Sequence, residues 1–470
     1  MKRITPRISV RQSISRSPKR GLSAALVALS AMIVFASTCQ AQTLTVIQNF
    51  SAVSGPQYPT QGALAQGRDG KLYGTSFYPN YGLVYSVSTR GIGRVVYSFD
   101  GASASSPNFG VTMATDGRFY GGTNEGGSSN YGVLFRVTSG GTFEVLHEFQ
   151  GASDGSRPIY PPVEASTGTL YGTTFGDLFP STVYEFAGLG TFSTICTFGG
   201  PYANDAGLLQ ASDGNLYGVT QTGGSYGAGT LFEITPSGTL LSSYTFTGLN
   251  DGGYPGGTLI EGPDGTLYGT TQSSGSRQGG TIFKYQKGNL TTLYSFSLNG
   301  LINPPSPLGL VLATDGKLYG TTVAGGKQGY GSIFRIATDG TGYQELYSFA
   351  SGTAQYPSQL MQHTNGLLYG ATIEGGRFGY GMLYSLNIGL GSFITFVLPT
   401  GKVGRSTQIL GQGLTGATSI TFNGVPATKF TIVSDTYMTT VVPSGATTGP
   451  VVVTTPGGTL TSNRNFAVLK

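Results

Sequence analysis

Short stretches in which apolar and polar residues alternate run along most of the chain, cut by glycine-rich turns. The pattern is clearest at Leu308 to Ala313, Lys317 to Thr322, Ser332 to Ala337 and Tyr343 to Phe349. Period-two alternation with β-branched and aromatic residues predicts four strands there. Asp315-Gly316 joins the first two as a hairpin, "VAGGKQGYG" links the second to the third, and "TDGTG" turns the third into the fourth. The unit recurs. Aligning turn glycines gives Gly70, Gly117, Gly168, Gly214, Gly265, Gly316 and Gly366, seven copies spaced 46 to 51 residues apart. That period suits one four-stranded propeller blade per repeat.

The fourth-strand pattern ends in phenylalanine at Phe99, Phe149, Phe198, Phe246, Phe296 and Phe349. It also occurs before any first strand, as "TLTVIQNF" from Thr43 to Phe50. The displaced copy is placed to complete the last repeat, whose own first three strands run from about Pro357 to Leu386; closing a ring this way removes open sheet edges. The expected fold is therefore all-β: a seven-bladed β-propeller over residues 42–391, with the N-terminal strand closing the ring. An open β-solenoid fits less well, because its coils are shorter and need no displaced strand. From about Phe396 the repeat stops. "NG" at 423–424 sits between "TSITF" and "ATKFTI" as a hairpin signal, and further strands read at Thr407 to Leu410, Tyr437 to Val442, Pro450 to Thr455 and Asn465 to Val468. Residues 396–470 thus predict an immunoglobulin-like β-sandwich without its disulfide.

Composition changes this picture mainly at the N-terminus. The first twenty residues hold seven Lys or Arg and no acid, Leu22 to Ala36 is an apolar run, and "STCQAQ" follows. These are the parts of a secretory signal over residues 1–41, too short to span a bilayer with confidence. Cys39 as an acylated lipoprotein cysteine is a minor reading, because "ASTC" lacks the usual leucine. Without the signal, the formal charge of +5 becomes 19 cations against 21 anions, so a basic groove for nucleic acid is unsupported. Cys196 remains alone and can form no intramolecular disulfide. The expected protein is secreted or surface-associated, with no transmembrane segment in the mature chain.

The repeat "L..ATDGKLYGTT..GG..GYGSIFRI..DG" with its closing "ELYSF" resembles the GloVer tandem repeat of secreted bacterial proteins, over residues 43 to about 390. The segment "GQGLTGATSITFNGVPATKFTIVSDTYMTTVVPSGATTGPVVVTTPGG" looks like an IPT/TIG domain. The resemblances imply export and a surface binding role rather than an activity. The third unit, "STGTLYGTTFGDLFPSTVYEF", departs most, lacking the aspartate and the Gly-Gly loop.

The recurring carboxylate, at Asp69, Asp116, Asp213, Asp264 and Asp315, invites a catalytic reading. Asn365 and Thr167 replace it in two units, so a carboxylate is not required. Asp-Gly between strands predicts a type I′ turn with both central residues at positive φ. Tyr73, Tyr217 and Tyr319 read as buried aromatics, and the glycine after each as a point of close approach. His147 and Cys196 share the slot held elsewhere by Gln48, Tyr97, Tyr244, Tyr294 and Tyr347, and His363 aligns with Ala313; all three read as packing residues. The remaining acids, chiefly Glu125, Asp154, Glu164, Asp177, Glu185, Asp205, Asp251, Glu261 and Glu374, show no diagnostic pairing for glycoside chemistry. No calcium-loop ladder and no cofactor motif occur.

In an antiparallel meander the first-to-second and third-to-fourth turns share one face. The second-to-third and inter-repeat loops share the other. Function is expected on that second, long-loop face. Tyr131, Tyr330 and Tyr380, like Tyr81, precede a glycine there, while Arg277, Lys327 and Arg377 vary between units; together they could stack on and hydrogen-bond a sugar or peptide. The reading is an exported, non-catalytic binding or adhesion protein for an extracellular glycan or protein ligand. A carbohydrate-active hydrolase or lyase using loop acids, and a purely structural surface protein, are the alternatives.

Overall fold

The computed structural model describes residues 42–469 apart from 53–54, 177–178, 189, 200–206 and 299–303. The signal segment with Cys39, and the acids Asp177 and Asp205, lie outside the described residues. Those described form strands and turns with no helix, and the array is propeller-like. Seven antiparallel sheets follow one another, each with strands in meander order. In the sixth repeat the strands are Pro307–Leu312, Lys317–Thr322, Ser332–Ala337 and Gln344–Ser348. The displaced strand Thr43–Asn49 pairs antiparallel with Met382–Asn387 of the last repeat, from Thr43 opposite Asn387 to Asn49 opposite Met382.

The "LYG" triplet explains how neighbouring sheets pack. Its leucine and tyrosine point to opposite faces of the second strand, yet both are buried: Leu72 and Tyr73 in the first repeat, Leu318 and Tyr319 in the sixth. The glycine pairs across the sheet with a third-strand aromatic in every repeat: Tyr85, Phe135, Tyr184, Phe232, Phe283, Phe334 and Tyr384. A Cβ on Gly320 would sit 2.5 Å from Phe334 Cζ, so the ring covers the bare backbone and no larger residue fits. Each fourth-strand phenylalanine then meets the third-strand aromatic of the next sheet. Phe99–Phe135, Phe149–Tyr184, Phe198–Phe232, Phe246–Phe283, Phe296–Phe334 and Phe349–Tyr384 make six such contacts, with ring centroids 4.7–5.5 Å apart. Phe50 on the displaced strand makes the seventh, with Tyr85 of the first repeat at 5.4 Å.

The Asp-Gly turns differ from the type I′ expectation. Gly70, Gly117, Gly168, Gly214, Gly265, Gly316 and Gly366 have positive φ, but none of the residues before them does. Each glycine N–H donates three residues back, as Gly316 N to Ala313 O, and Ala313 N donates to Lys317 O. The loop is therefore a β-turn followed by one left-handed glycine bulge, which needs positive φ only at the glycine. That is why Asp, Asn or Thr can stand before it.

The C-terminal region has two four-stranded sheets. One runs Thr395–Phe396, Ser406–Leu410, Tyr437–Val441, Phe430–Ser434; the other runs Val425–Pro426, Ser419–Phe422, Val451–Thr455, Gly458–Thr461. Thr400–Lys402 pairs in parallel with Ala467–Leu469. Ile409, Ile420, Met438, Val451, Val453 and Phe466 form its core. Asn423 and Gly424 both take positive φ, so the Asn-Gly hairpin here has the geometry expected of the type I′ turn.

Candidate functional site

On the turn face, the repeated aspartates are engaged locally. Oδ1 of Asp69, Asp116, Asp213, Asp264 and Asp315 accepts the N–H two residues on, and Asn365 Oδ1 does the same for Leu367. Oδ2 accepts the hydroxyl of the tyrosine four residues on, from Tyr73, Tyr120, Tyr217 and Tyr319, at 2.8–3.0 Å. In the seventh repeat Asn365 Nδ2 donates to Tyr369 Oη instead, at 2.9 Å. Burial, with the aspartate beside it, pushes the Tyr319 phenol well above its ordinary range. Four of these carboxylates are thus held by their own tyrosine and backbone. Lys71, Arg118 and Lys317 pair with the same aspartates.

A second device on this face escaped sequence reading. In five repeats the residue two before the turn glycine donates its N–H to a side chain of the neighbouring repeat. Thr115 N donates to Glu164 Oε2 at 2.7 Å, Ser166 N to Gln210 Oε1 at 2.9 Å, Ser212 N to Glu261 at 3.0 Å, and Thr314 N to Gln362 Oε1 at 3.0 Å. Thr364 N of the last repeat donates to Gln66 Oε1 of the first at 3.1 Å. Where Pro263 supplies no N–H, the facing residue is the apolar Leu312. That substitution, and the Glu or Gln at five equivalent positions, was the available sequence signal. Glu164 and Glu261 are thus clasps between sheets. Burial raises the Glu164 carboxyl above its ordinary range, against the lowering effect of the Thr115 bonds.

The C-terminal region covers part of the turn face. Arg68 Nη2 donates to Thr115 O at 2.6 Å and to Gln408 Oε1 at 2.8 Å, and its guanidinium lies 4.7 Å from the Tyr437 ring centroid. Thr436 Oγ1 donates to Arg68 O, Gln408 Nε2 to Thr115 O, and Gln412 Nε2 to Thr364 Oγ1. Leu410 and Tyr437 join Tyr73 and Phe119 in one apolar cluster. His363 Nε2–H donates to Gly70 O at 3.1 Å, while Nδ1 accepts from Asn365 N–H at 3.2 Å. This pairing fits the neutral ring, and burial lowers the His363 pKa below its ordinary value. Away from the covered part, a polar recess of about 460 Å³ is lined by Asp264, Tyr268, Lys284, Lys287 and Asp339 among others. There the Thr266 hydroxyl, rather than the tyrosine, donates to Asp264 Oδ2.

The loop face is organised differently. A residue before proline takes positive φ at Tyr58, Ser106, Arg157, Tyr254, Ser306 and Tyr356, a strained backbone for an L-residue. At five of these the N–H donates to the preceding repeat's loop: Ser106 to Tyr81 O, Arg157 to Tyr131 O, Tyr254 to Ala228 O, Tyr356 to Tyr330 O and Tyr58 to Tyr380 O. The proline that follows lies over the glycine after each loop residue, as Pro357 over Gly331. The Tyr-Gly pair of the loops is therefore a staple between sheets, made by the tyrosine carbonyl. The Tyr131, Tyr330 and Tyr380 rings are half-buried; Tyr131 meets Phe179 edge-on at 5.0 Å and Tyr380 meets Tyr58 at 5.5 Å.

Arg277, Lys327 and Arg377 are exposed. Their backbones are tethered, Arg277 N to Ser295 Oγ, Lys327 N to Ser348 Oγ and Arg377 N to Asn49 Oδ1, while among the described residues none is seen in an ion pair. Arg277 stands one position further along its loop than Lys327 and Arg377 do in theirs. Two of the loop acids, Asp154 and Asp251, are used internally, whereas the carboxylates of Glu125 and Glu374 at the ends of second strands are seen in no hydrogen bond or ion pair among the described residues. Asp251 accepts from Tyr244 Oη, Thr247 N and Thr247 Oγ1, and this pushes the Tyr244 phenol, already raised by burial, up to about 12. Asp154 takes the same place beside His147, whose Nε2 lies 2.8 Å from Oδ2. His147 stacks on Phe192 at 3.6 Å, so the pair is a variant of Tyr244–Asp251. Among the described residues no group of three or more His, Cys, Asp or Glu is placed to hold a metal ion, and no helix is long and apolar enough to cross a membrane.

Among solved structures, the WD40 β-propeller domain of Doa1 is similar at 13% identity and a TM-score of 0.47, covering 74% of this chain and 97% of that one. A gluconolactonase from Xanthomonas campestris is similar at 14% identity and TM-score 0.40, covering 73% and 89%. An oligogalacturonate lyase from Vibrio parahaemolyticus is similar at 11% identity and TM-score 0.46, covering 74% and 97%. No curated protein matches the chain. The model of the Gloeobacter/Verrucomicrobia repeat matches residues 28–206, 176–384 and 290–423, and the chain belongs to that family.

Proposed function

We propose that this is an exported, non-catalytic binding protein: a closed seven-bladed propeller that presents its long-loop face to a glycan or protein ligand and carries an immunoglobulin-like IPT/TIG module on the other face. Closure is supported by three kinds of bond that join the seventh repeat to the first as they join other neighbours: Phe50 on Tyr85, Thr364 to Gln66, and Tyr58 to Tyr380. The two four-stranded sheets after Ile394 support the module, and residues 1–41 act as its signal peptide. The observation that carries the reading is a set of exposed loop-face cations: Arg277, Lys327 and Arg377 extend from tethered loops and none is seen in an ion pair among the described residues, whereas Lys71, Arg118 and Lys317 on the turn face are paired with the turn aspartates. Glu164, Glu261, Asp154 and Asp251 are committed to clasps and loops, which favours binding over hydrolase or lyase chemistry. The test is a screen of polysaccharides and peptides against the purified mature protein. Replacing Lys327 and Arg377 by alanine is expected to weaken binding at unchanged thermal stability; unchanged affinity refutes the loop-face assignment.

A further inference from the structure

Two exposed aromatic residues of the loop face lie where the seventh repeat meets the first. Tyr78 ends the first repeat's second strand at a position held elsewhere by Glu125, Thr222, Ser273, Ala324 and Glu374. It is 53% exposed, and Phe378 in the seventh repeat's loop is 50% exposed. Tyr58 lies between their loops: its ring meets Tyr78 at 5.6 Å and Tyr380, two residues after Phe378, at 5.5 Å, both edge-on. Arg377 lies 5.4 Å from the Phe378 ring centroid. The strained Tyr58 backbone and the Arg377 to Asn49 bond fix this cluster at both ends. Rings held by backbone constraint lose little conformational freedom on binding, and a guanidinium without an internal carboxylate partner suits an external one.

Resting on the loop-face reading above, we infer that this junction is a glycan subsite, with the tyrosine and phenylalanine rings stacking on sugar faces and Arg377 pairing with a sugar carboxylate; the ligand class is a polyuronate. The chemistry separates it from an apolar-peptide site, because three of the four rings, those of Tyr58, Tyr78 and Tyr380, carry a hydroxyl and a guanidinium lies beside the fourth. A second collection, Tyr226, Tyr254 and Leu249, lies where the fourth and fifth repeats meet; among the described residues no cation is seen over either ring, so it serves as the internal comparison.

The experiment is a binding titration of the mature protein with polygalacturonate and with its carboxyl-reduced form. Wild type is expected to bind the carboxylated polymer at least about fivefold more tightly. Phe378→Ala, alone or with Tyr78→Ala, is expected to weaken binding about tenfold or more at an unchanged melting temperature, Arg377→Gln to abolish the preference for carboxylate, and Tyr226→Ala with Tyr254→Ala to change affinity by less than about threefold. Equal binding of the two polymers, indifference to Phe378→Ala, or no binding of polygalacturonate overturns the inference. If polygalacturonate fails while another polysaccharide or a peptide in the screen binds in a manner dependent on Lys327 and Arg377, only this inference falls. If no probe depends on those cations, the loop-face reading falls with it.

Discussion

The two faces of the repeat array use the same residue types for opposite ends. On the turn face carboxylates and cations neutralise one another across two residues, a tyrosine hydroxyl donates to each of four of the aspartates, and the C-terminal module lies over repeats one, two and seven. On the loop face Asp154 and Asp251 fold back onto their own loops, and the cations and several aromatic rings are left exposed. A repeat protein has to hold its neighbours together somewhere. Here polar side chains do so on the turn face and backbone groups do so on the loop face, through the Xaa-Pro staples. Stapling by backbone leaves loop side chains free to vary without loss of the array.

The comparison is broken most severely where both faces depend on one contact. Gly320→Val would drive two methyl groups into Phe334 and the Gly309 carbonyl, and overpacking of this kind costs about 3 kcal/mol. The expected result is a marked loss of thermal stability with cooperative unfolding retained. Arg68→Ala removes a charge-assisted bond to Gln408 and the stacking on Tyr437, worth about 2 kcal/mol together. It should lower the melting temperature and make the C-terminal region more sensitive to proteolysis, leaving loop-face binding unchanged.

Glu261→Ala tests the clasp. It leaves Ser212 N–H without its acceptor on a face that water can reach, at a cost of about 1 kcal/mol. A smaller effect comes from pH. The folded pKa of His363 is lowered by burial, so the unfolded chain binds the proton more readily. The stability contributed by the neutral ring is complete above the ordinary histidine value of 6.5 and is lost as pH falls below it. Melting curves at pH 7 and pH 5 should separate more for wild type than for His363→Ala, in which the seventh repeat carries the alanine that the second and sixth already have. The smallest structural effect belongs to Lys327→Ala with Arg377→Ala, within about 0.5 kcal/mol of wild type, because the tethers at those positions use backbone N–H.

Strands were legible because their periodicity is local: the sixth repeat's four lie within two residues of their expected ends, and Thr43–Asn49 was found by its likeness to the other fourth strands. The buried tyrosine and the close approach at the following glycine were legible for the same reason, since both partners lie within one sheet. The turn type was misjudged because Asp-Gly suits two hairpin geometries, and only the hydrogen-bond register separates them. Clasps, staples and the cover on the turn face were hidden because each joins residues of different repeats or regions, and a Glu or Gln before a turn does not name the N–H it will accept. Among the candidate ligand residues, the cations are exposed loop groups, whereas the tyrosines contribute carbonyls that no side-chain argument could anticipate.

The division between the faces is tested most directly by native-state amide hydrogen exchange, resolved by residue. The N–H groups of Thr115, Ser212 and Thr364, held by side chains of the neighbouring repeat, are expected among the slowly exchanging set together with the strand amides. Those of Ser128, Lys327 and Arg377, held only at the rim of exposed loops, are expected to exchange much faster. Fast exchange at the three clasps with slow exchange at the loop rims would contradict the assignment of architecture to one face and ligand contact to the other.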